Sequence, residues 1–170
     1  GAIATRALFN GVAGAGVGGI DVRARQRTQS ETVAGGNIDE DATIGVGAAV
    51  ALSLGQNTAE AAIAGPAVAS IGAVSVEASG THRALDLAEA GAGGGAAVAP
   101  AVAGHYSDNR TTARVAPVAS LDLGDGLAVT ADHSTSVDVV ADAAAAGDLV
   151  SVGMAAGLAY VVDRASASIE

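Results

Sequence analysis

Residues 57–63 read Asn-Thr-Ala-Glu-Ala-Ala-Ile, and the same pattern recurs at intervals of 52 to 54 residues along the chain. Each copy ends in an apolar residue, namely Phe9, Ile63, Val115 and Ile169. Two positions earlier every copy has Ala, at Ala7, Ala61, Ala113 and Ala167. Six positions earlier stand Asn57, Asn109 and Asp163, whereas the first copy has Ile3. This alternation indicates a β-strand with one buried face.

A second alternating block follows each copy of the first. Its members are Ile20-Val22-Ala24, Val74-Val76-Ala78 and Leu127-Val129-Ala131. The connectors carry turn residues such as Gly65-Pro66 and Gly124-Asp125-Gly126. Blocks in constant order predict an internal repeat of about 53 residues within a single segment, 1–170. The predicted copies are 1–19 (partial), 20–73, 74–126 and 127–170 (partial).

Repeats with alternating strands and glycine-rich corners are typical of a stacked all-β fold. We therefore predict a parallel β-helix, or β-solenoid, of about three repeats, with layers ~4.8 Å apart. The two halves of a repeat differ, which favours one wide layer per repeat over two smaller ones. The competing interpretation is helical, because 59–69 and 137–146 are rich in Ala. Scattered Gly and frequent Val and Ile argue against helices.

Composition excludes several classes of function. The net charge is −10, and all eight basic residues are Arg, so binding to nucleic acid or to an anionic membrane surface is not expected. The uncharged stretches 42–59, 90–107 and 149–162 recur once per repeat and contain Gly, which argues against spanning helices. Cysteine is absent, which excludes thiol catalysis and disulfides.

No residue cluster predicts a catalytic, cofactor or metal site, and we expect a protein that is not an enzyme. The three histidines, His82, His105 and His133, do not fall at equivalent repeat positions, so they are predicted to lie on the surface. The acidic runs Asp39-Glu40-Asp41 and Asp122 to Asp125 offer oxygen ligands for Ca²⁺. Neither run matches a known Ca²⁺ loop, and solvated turns are the simpler interpretation.

The apolar stretches 46–54 and 96–103 leave two alternatives open. If their second face is exposed, stacked repeats present a continuous nonpolar stripe that favours lateral pairing or a covering segment. If the strands are covered on both faces within the chain, the stripe does not exist. The accessibility of Val46, Ala48, Val50 and Leu52 distinguishes these cases.

The repeat resembles that of very large filamentous surface adhesins of bacteria, the leukotoxin-like and filamentous-haemagglutinin-type exoproteins. The resemblance lies in residues 57–63, in Val74-Ser75-Val76-Glu77-Ala78 and in the copies that begin at Asn109 and Asp163. It implies an exported parallel β-helix at the bacterial cell surface or outside the cell, and it implies no catalytic or ligand residue. The implied partners are neighbouring repeats, further copies of the chain, and a host or cell-surface receptor of unknown identity.

Three hypotheses about function follow. The first is a structural or adhesive module of a large secreted repeat protein. The second is a self-assembling extracellular filament subunit joined through open layer edges. The third is a carbohydrate-active β-helix enzyme, which the lack of Lys and the 2% aromatic content disfavour.

Overall fold

The computed structural model describes residues 1–13, 18–38, 43–65, 67–70, 72–117 and 120–170. Its regular elements are all strands: β1 (Ala2–Phe9), β2 (Val12–Ala13), β3 (Ile20–Ile38), β4 (Ile44–Val46), β5 (Ala49–Ile63), β6 (Ala67–Ser70), β7 (Val74–Val115), β8 (Ser120–Leu123) and β9 (Leu127–Ile169). The described residues contain no helix. The all-β prediction is confirmed, and the helical interpretation is wrong for the described parts of 59–69 and for 137–146.

All of these strands pair in parallel. A six-stranded sheet runs β1-β5-β7-β3, with β4 and β9 also paired to β7, and a small second sheet runs β2-β6-β8. Ile20 pairs with Val74, which pairs with Leu127, while Ala61 pairs with Ala113, which pairs with Ala167. The predicted superposition of residues about 53 positions apart is therefore confirmed, and each repeat contributes one layer of strand.

The strands β7 and β9 each bend back near the middle, and β3 and β5 pair with the two halves of β7, so that the two halves of a layer face each other. In β7 the bend lies within residues 91–95, where Gly94 has a φ of 127°. Only glycine adopts this conformation without strain. The pairing with β9 shifts register between Gly94 and Ala96. A Cβ on Gly47 would overlap the carbonyl oxygen of Gly91, so the facing halves touch backbone to backbone there.

Two apolar clusters fill the interior at opposite ends of the folded layers. The first joins the beginning and end of each layer and consists of Ile20, Val22, Ala24, Ala61, Ile63, Val74, Val76, Ala78, Ala113 and Val115. The second lies beside the bend and consists of buried alanines: Ala49, Ala51, Ala88, Ala90, Ala92, Ala97, Ala99, Ala101 and Ala103. Small side chains allow the two halves to approach closely at the bend.

The two outer faces of the curled sheet differ in polarity. The face formed by β3, the first half of β7 and the first half of β9 carries charges, and Glu77 there pairs with Arg23 at 3.1 Å and with Arg25 at 3.4 Å. These pairs join neighbouring layers. The opposite face is apolar over residues 44–54, 96–106 and 150–160, and towards the ends of β5, β7 and β9 it becomes charged, with Arg114 paired to Glu60 at 3.1 Å and Arg164 paired to Asp108 at 2.6 Å. Within the described residues there is no helix capable of crossing a membrane.

Candidate functional site: a buried polar cluster

A group of polar side chains lies inside the layers, between the two apolar clusters. Its buried members are Gln26, Asn57, His82, Asp86, His105, Ser107, Asn109 and Thr111. The prediction of surface histidines is wrong, since His82 and His105 are only 2% and 5% exposed. The side chain of His133 is likewise only 6% exposed. Buried polar groups require hydrogen-bond partners, so this cluster is the candidate functional site of the described residues.

The cluster contains a column of amide groups that crosses the layers. The Nδ2 of Asn57 donates to Oδ1 of Asn109 at 2.7 Å, and Nδ2 of Asn109 donates to Oδ1 of Asp163 at 2.7 Å. Thr28 donates its hydroxyl to Oδ1 of Asn57 at 3.1 Å. Asn57, Asn109 and Asp163 occupy the Asn/Asp position of the repeat pattern, and they pair directly in register. The repeat therefore places matching hydrogen-bonding groups above one another.

A second set of contacts joins the two facing halves of the layers. The Nδ1 of His105 lies 2.8 Å from Oδ2 of Asp86 and 2.6 Å from Oγ of Ser53. The hydroxyl of Ser53 also donates to Asp86 at 2.7 Å. The Nε2 atoms of His82 and His105 face each other at 3.4 Å, and their rings stack with centroids 5.5 Å apart.

One assignment of protons satisfies this network. A carboxylate accepts, so His105 carries its proton on Nδ1, facing Asp86, and its Nε2 is an acceptor. The amide of Asn57 donates across 3.3 Å to Nδ1 of His82. His82 therefore carries its proton on Nε2 and donates it to His105. Asp86, both imidazoles and the amide column form one continuous chain of hydrogen bonds.

The electrostatics of His82 agree with a neutral imidazole. Burial lowers the pKa of His82 from its ordinary value of 6.5, and the neighbouring His105 and His133 lower it further. Protonation at Nδ1 would also replace the lone pair that accepts the amide hydrogen of Asn57 with a second donor. Asp86 is 1% exposed, and its Oδ1 has no hydrogen-bond partner among the described residues. The network is therefore satisfied everywhere except at this one oxygen.

The residue types of a hydrolytic triad are present, but their arrangement is different. In such a triad the serine contacts one imidazole nitrogen and the carboxylate contacts the other. Here Ser53 and Asp86 both contact Nδ1 of His105, while Nε2 faces His82. The nitrogen of His105 that is not held by Asp86 faces His82 and not Ser53, so His105 is not placed to accept the hydroxyl proton of Ser53 as a triad histidine does. A cavity of about 160 Å³ adjoins Ser53 and the two histidines.

Metal ligands are also too few at this place. Among the described residues, no three His, Asp or Glu side chains come together in a way that could hold a metal ion. Asp122 and Asp125 of the second acidic run are exposed. The first run, Asp39-Glu40-Asp41, lies outside the described residues, so its interpretation as a solvated turn stays a prediction.

The alternation of inward and outward residues along the strands indicates that His82 and His105 are buried. His82 lies an even number of residues after Val74, and His105 lies an even number before Ala113. Each histidine therefore falls on the inward side of its strand. Histidines must occupy the same position in successive repeats to form a column of ligands that crosses the layers. Two residues that meet across the interior need not do so.

The outward side of the second half-layers forms a surface that we name the apolar face. It comprises the even-numbered positions of 44–54, 96–106 and 150–160, which lie side by side in register. Val46, Val50 and Leu52 are 54%, 59% and 64% exposed, and Ala48 is exposed as well. The exposed-stripe alternative is confirmed for the described chain, and coverage on both faces is wrong.

No protein-family model, no curated protein and no solved structure matches this chain.

Proposed function

We propose that this chain is a structural, adhesive module of a large repeat protein exported to the bacterial surface. In this proposal about three repeats of roughly 53 residues form a parallel β-helix, and each end continues into a neighbouring repeat. The supporting observation is the parallel pairing of every long strand with residues 52 to 54 positions away. Such pairing has no natural limit, because each layer repeats the pattern of the layer before it.

The strand edges support extension of the stack. Among the described strands, β9 pairs only with β7, and β3 also pairs only with β7. Each therefore has one edge whose backbone groups are available to a further parallel strand. The mechanism is mechanical: backbone hydrogen bonds and ladders of Ala, Val and Asn make a stiff rod, and its length is set by the number of copies.

The buried polar cluster favours a structural role over an enzymatic one. Its histidines are buried, and their ring nitrogens face Asp86, Ser53, Asn57 and each other. Inside a stack these contacts favour one register, since a shift by one residue would point every inward polar group to solvent. The surface location and the adhesive role rest on the resemblance to bacterial exoproteins.

A filament subunit is the second candidate, and a charge difference between the two ends favours it. The outward side of β3 carries Arg23, Arg25 and Arg27 together with Asp21 and Glu31, whereas that of the first half of β9 carries Asp132, Asp138 and Asp142 and no Arg. Copies stacked end to end would bring opposite charges together. However, β1 already pairs with Gln56–Ile63 of β5, so an incoming full-width layer would compete with β1 there. This competition favours the module.

Electron microscopy of the purified chain tests the proposal. We expect discrete short rods with an axial repeat of ~4.8 Å. Long fibres would support the filament subunit instead, and particles that lack the axial repeat would contradict both. Antibody labelling of intact producing cells tests the location. We expect label on unpermeabilised cells, and label that appears only after permeabilisation would contradict export to the surface.

A further inference from the structure

The apolar face is larger and more uniform than the exposed apolar surface of an ordinary monomer. It has six outward positions on each of three layers, and none of them is polar or charged apart from the hydroxyls of Tyr106 and Tyr160. Its most exposed members are Leu158, Leu54, Ile44 and Leu52, at 73%, 71%, 70% and 64%. Solvent contact with so much grouped apolar surface is unfavourable, which points to a partner.

We propose that the apolar face binds the same face of a second copy of this chain, so that two stacks pair side by side. This pairing goes beyond the proposed module and does not depend on it, because a stack of repeats can exist with or without a second stack beside it. The area, charge and shape of the face support this pairing.

The exposed area is sufficient for a specific dimer. The large side chains of the face together expose roughly 1,000 Å², whereas a standard interface takes about 800 Å² from each partner. The largest apolar patch of a typical monomer covers only about 300 to 600 Å². Sheets that pack face to face are a common arrangement, at a separation of about 10 Å.

The charge distribution favours a second copy over an oppositely charged partner. The chain has a net charge of −10, but its charged residues lie off the apolar face. Two acidic copies can approach through this face without bringing charged side chains of the face into contact. The remaining repulsion is long-range, so added salt should strengthen the pairing by screening it.

The face also contains a notch that can accept a projecting side chain. Gly104 lies between Leu52 and Leu158 in the same column, and Tyr106 stacks on Tyr160 beside it with ring centroids 5.7 Å apart. The recess beside Gly104 measures about 270 Å³ and is bordered mainly by these apolar groups, and Cδ2 of Leu52 leans over Gly104 itself. A large apolar side chain of the second copy, of the size of Met or Leu, would fill it.

Analytical ultracentrifugation with a matched pair of variants tests the proposal. Val50 lies on the apolar face and is 59% exposed, whereas Val33 lies on the charged face and is 58% exposed. We expect a concentration-dependent dimer of the 16.1 kDa chain that becomes tighter as NaCl is added. Val50→Lys should raise the dissociation constant at least about tenfold, whereas Val33→Lys should change it less than about twofold.

A second measurement uses the absence of cysteine. A single Cys at Val102, near the centre of the apolar face, should form a disulfide with its counterpart under mild oxidation, because a twofold interface places central residues beside their own copies. Val33→Cys should not cross-link. A chain that stays monomeric at all concentrations would overturn the proposal, as would equal effects of the two Lys variants. Fibres that Val50→Lys leaves intact would also overturn it and would assign association to the strand edges.

Discussion

At the scale of single residues, the buried polar cluster makes the stacking register specific. Asn109 lies between Asn57 and Asp163 in the amide column and is fully buried. Ladders of Ala and Val tolerate a register shift of one strand along its neighbour, because one small apolar residue can take the place of another. An amide column does not tolerate it, because every slipped member loses a donor or an acceptor.

Removing the centre of the amide column should therefore be costly. Asn109→Ala leaves Nδ2 of Asn57 and the carboxylate of Asp163 without this partner, so we expect the free energy of unfolding to fall by about 2 to 4 kcal/mol. Urea unfolding followed by circular dichroism measures the loss. The matched control is Asn37→Ala, because Asn37 is exposed. Equal losses in the two variants would contradict a stabilising role for the column.

The lowered pKa of His82 makes stability depend on pH. Its imidazole binds a proton less readily in the folded chain than in the unfolded chain, where its pKa is near the ordinary value of 6.5. Between these two pKa values the unfolded state binds more protons, so this contribution to stability is complete above pH 6.5 and is lost as the pH falls below it. The slope cannot exceed about 1.4 kcal/mol per pH unit for one group.

Replacing His82 should flatten this part of the pH profile. The titratable groups facing it are His105, His133, Asp86 and Asp163, and they remain in the variant. His82→Gln keeps an acceptor for Asn57 and a donor for His105 but cannot be protonated. We expect urea unfolding at a series of pH values to show a shallower decrease below pH 6.5 than in the unsubstituted chain. An unchanged slope would show that other groups control the acid sensitivity.

At the scale of strands, the layer pairing was predictable and the contacts across the interior were not. The alternation of residues predicts which side chains point inward, and the spacing of Ala61, Ala113 and Ala167 predicts the register. Both are readable because a parallel stack repeats the same local chemistry in every layer. The meeting of His82 with His105 depends on where the layer bends. That position depends on backbone contacts at glycines within 91–95, and such contacts leave no periodic pattern in the sequence.

The glycines of the bend give a prediction of their own. Gly47→Ala would push a methyl group into the carbonyl oxygen of Gly91, which can yield only by moving backbone. We expect a loss of about 2 to 4 kcal/mol in the free energy of unfolding. Gly35→Ala is the control, because a Cβ there has no neighbour within 4 Å, and its effect should stay within about 1 kcal/mol. Similar melting temperatures for both variants would contradict close contact of the facing halves.

At the scale of the whole molecule, stability should depend on the number of stacked layers. In a linear array each layer contacts only its neighbours, so the total is approximately a sum of layer and interface contributions. Among the described strands, β7 is paired along both of its edges, whereas β9 is paired along one edge, with β7. A layer inserted between β7 and β9 therefore replaces one interface between layers with two.

Duplicating residues 74–126 tests this dependence directly. The insertion preserves the spacing, so the second Val74 pairs with Leu127 and the second Asn109 joins the amide column between Asn109 and Asp163. We expect a higher urea midpoint and a steeper transition, because more surface is buried per molecule. Duplicating residues 74–99 alone adds residues without completing a layer, so it should lower the midpoint. If both duplications have the same effect, the layers do not stabilise one another through register, and a rod of continuous repeats loses its physical basis.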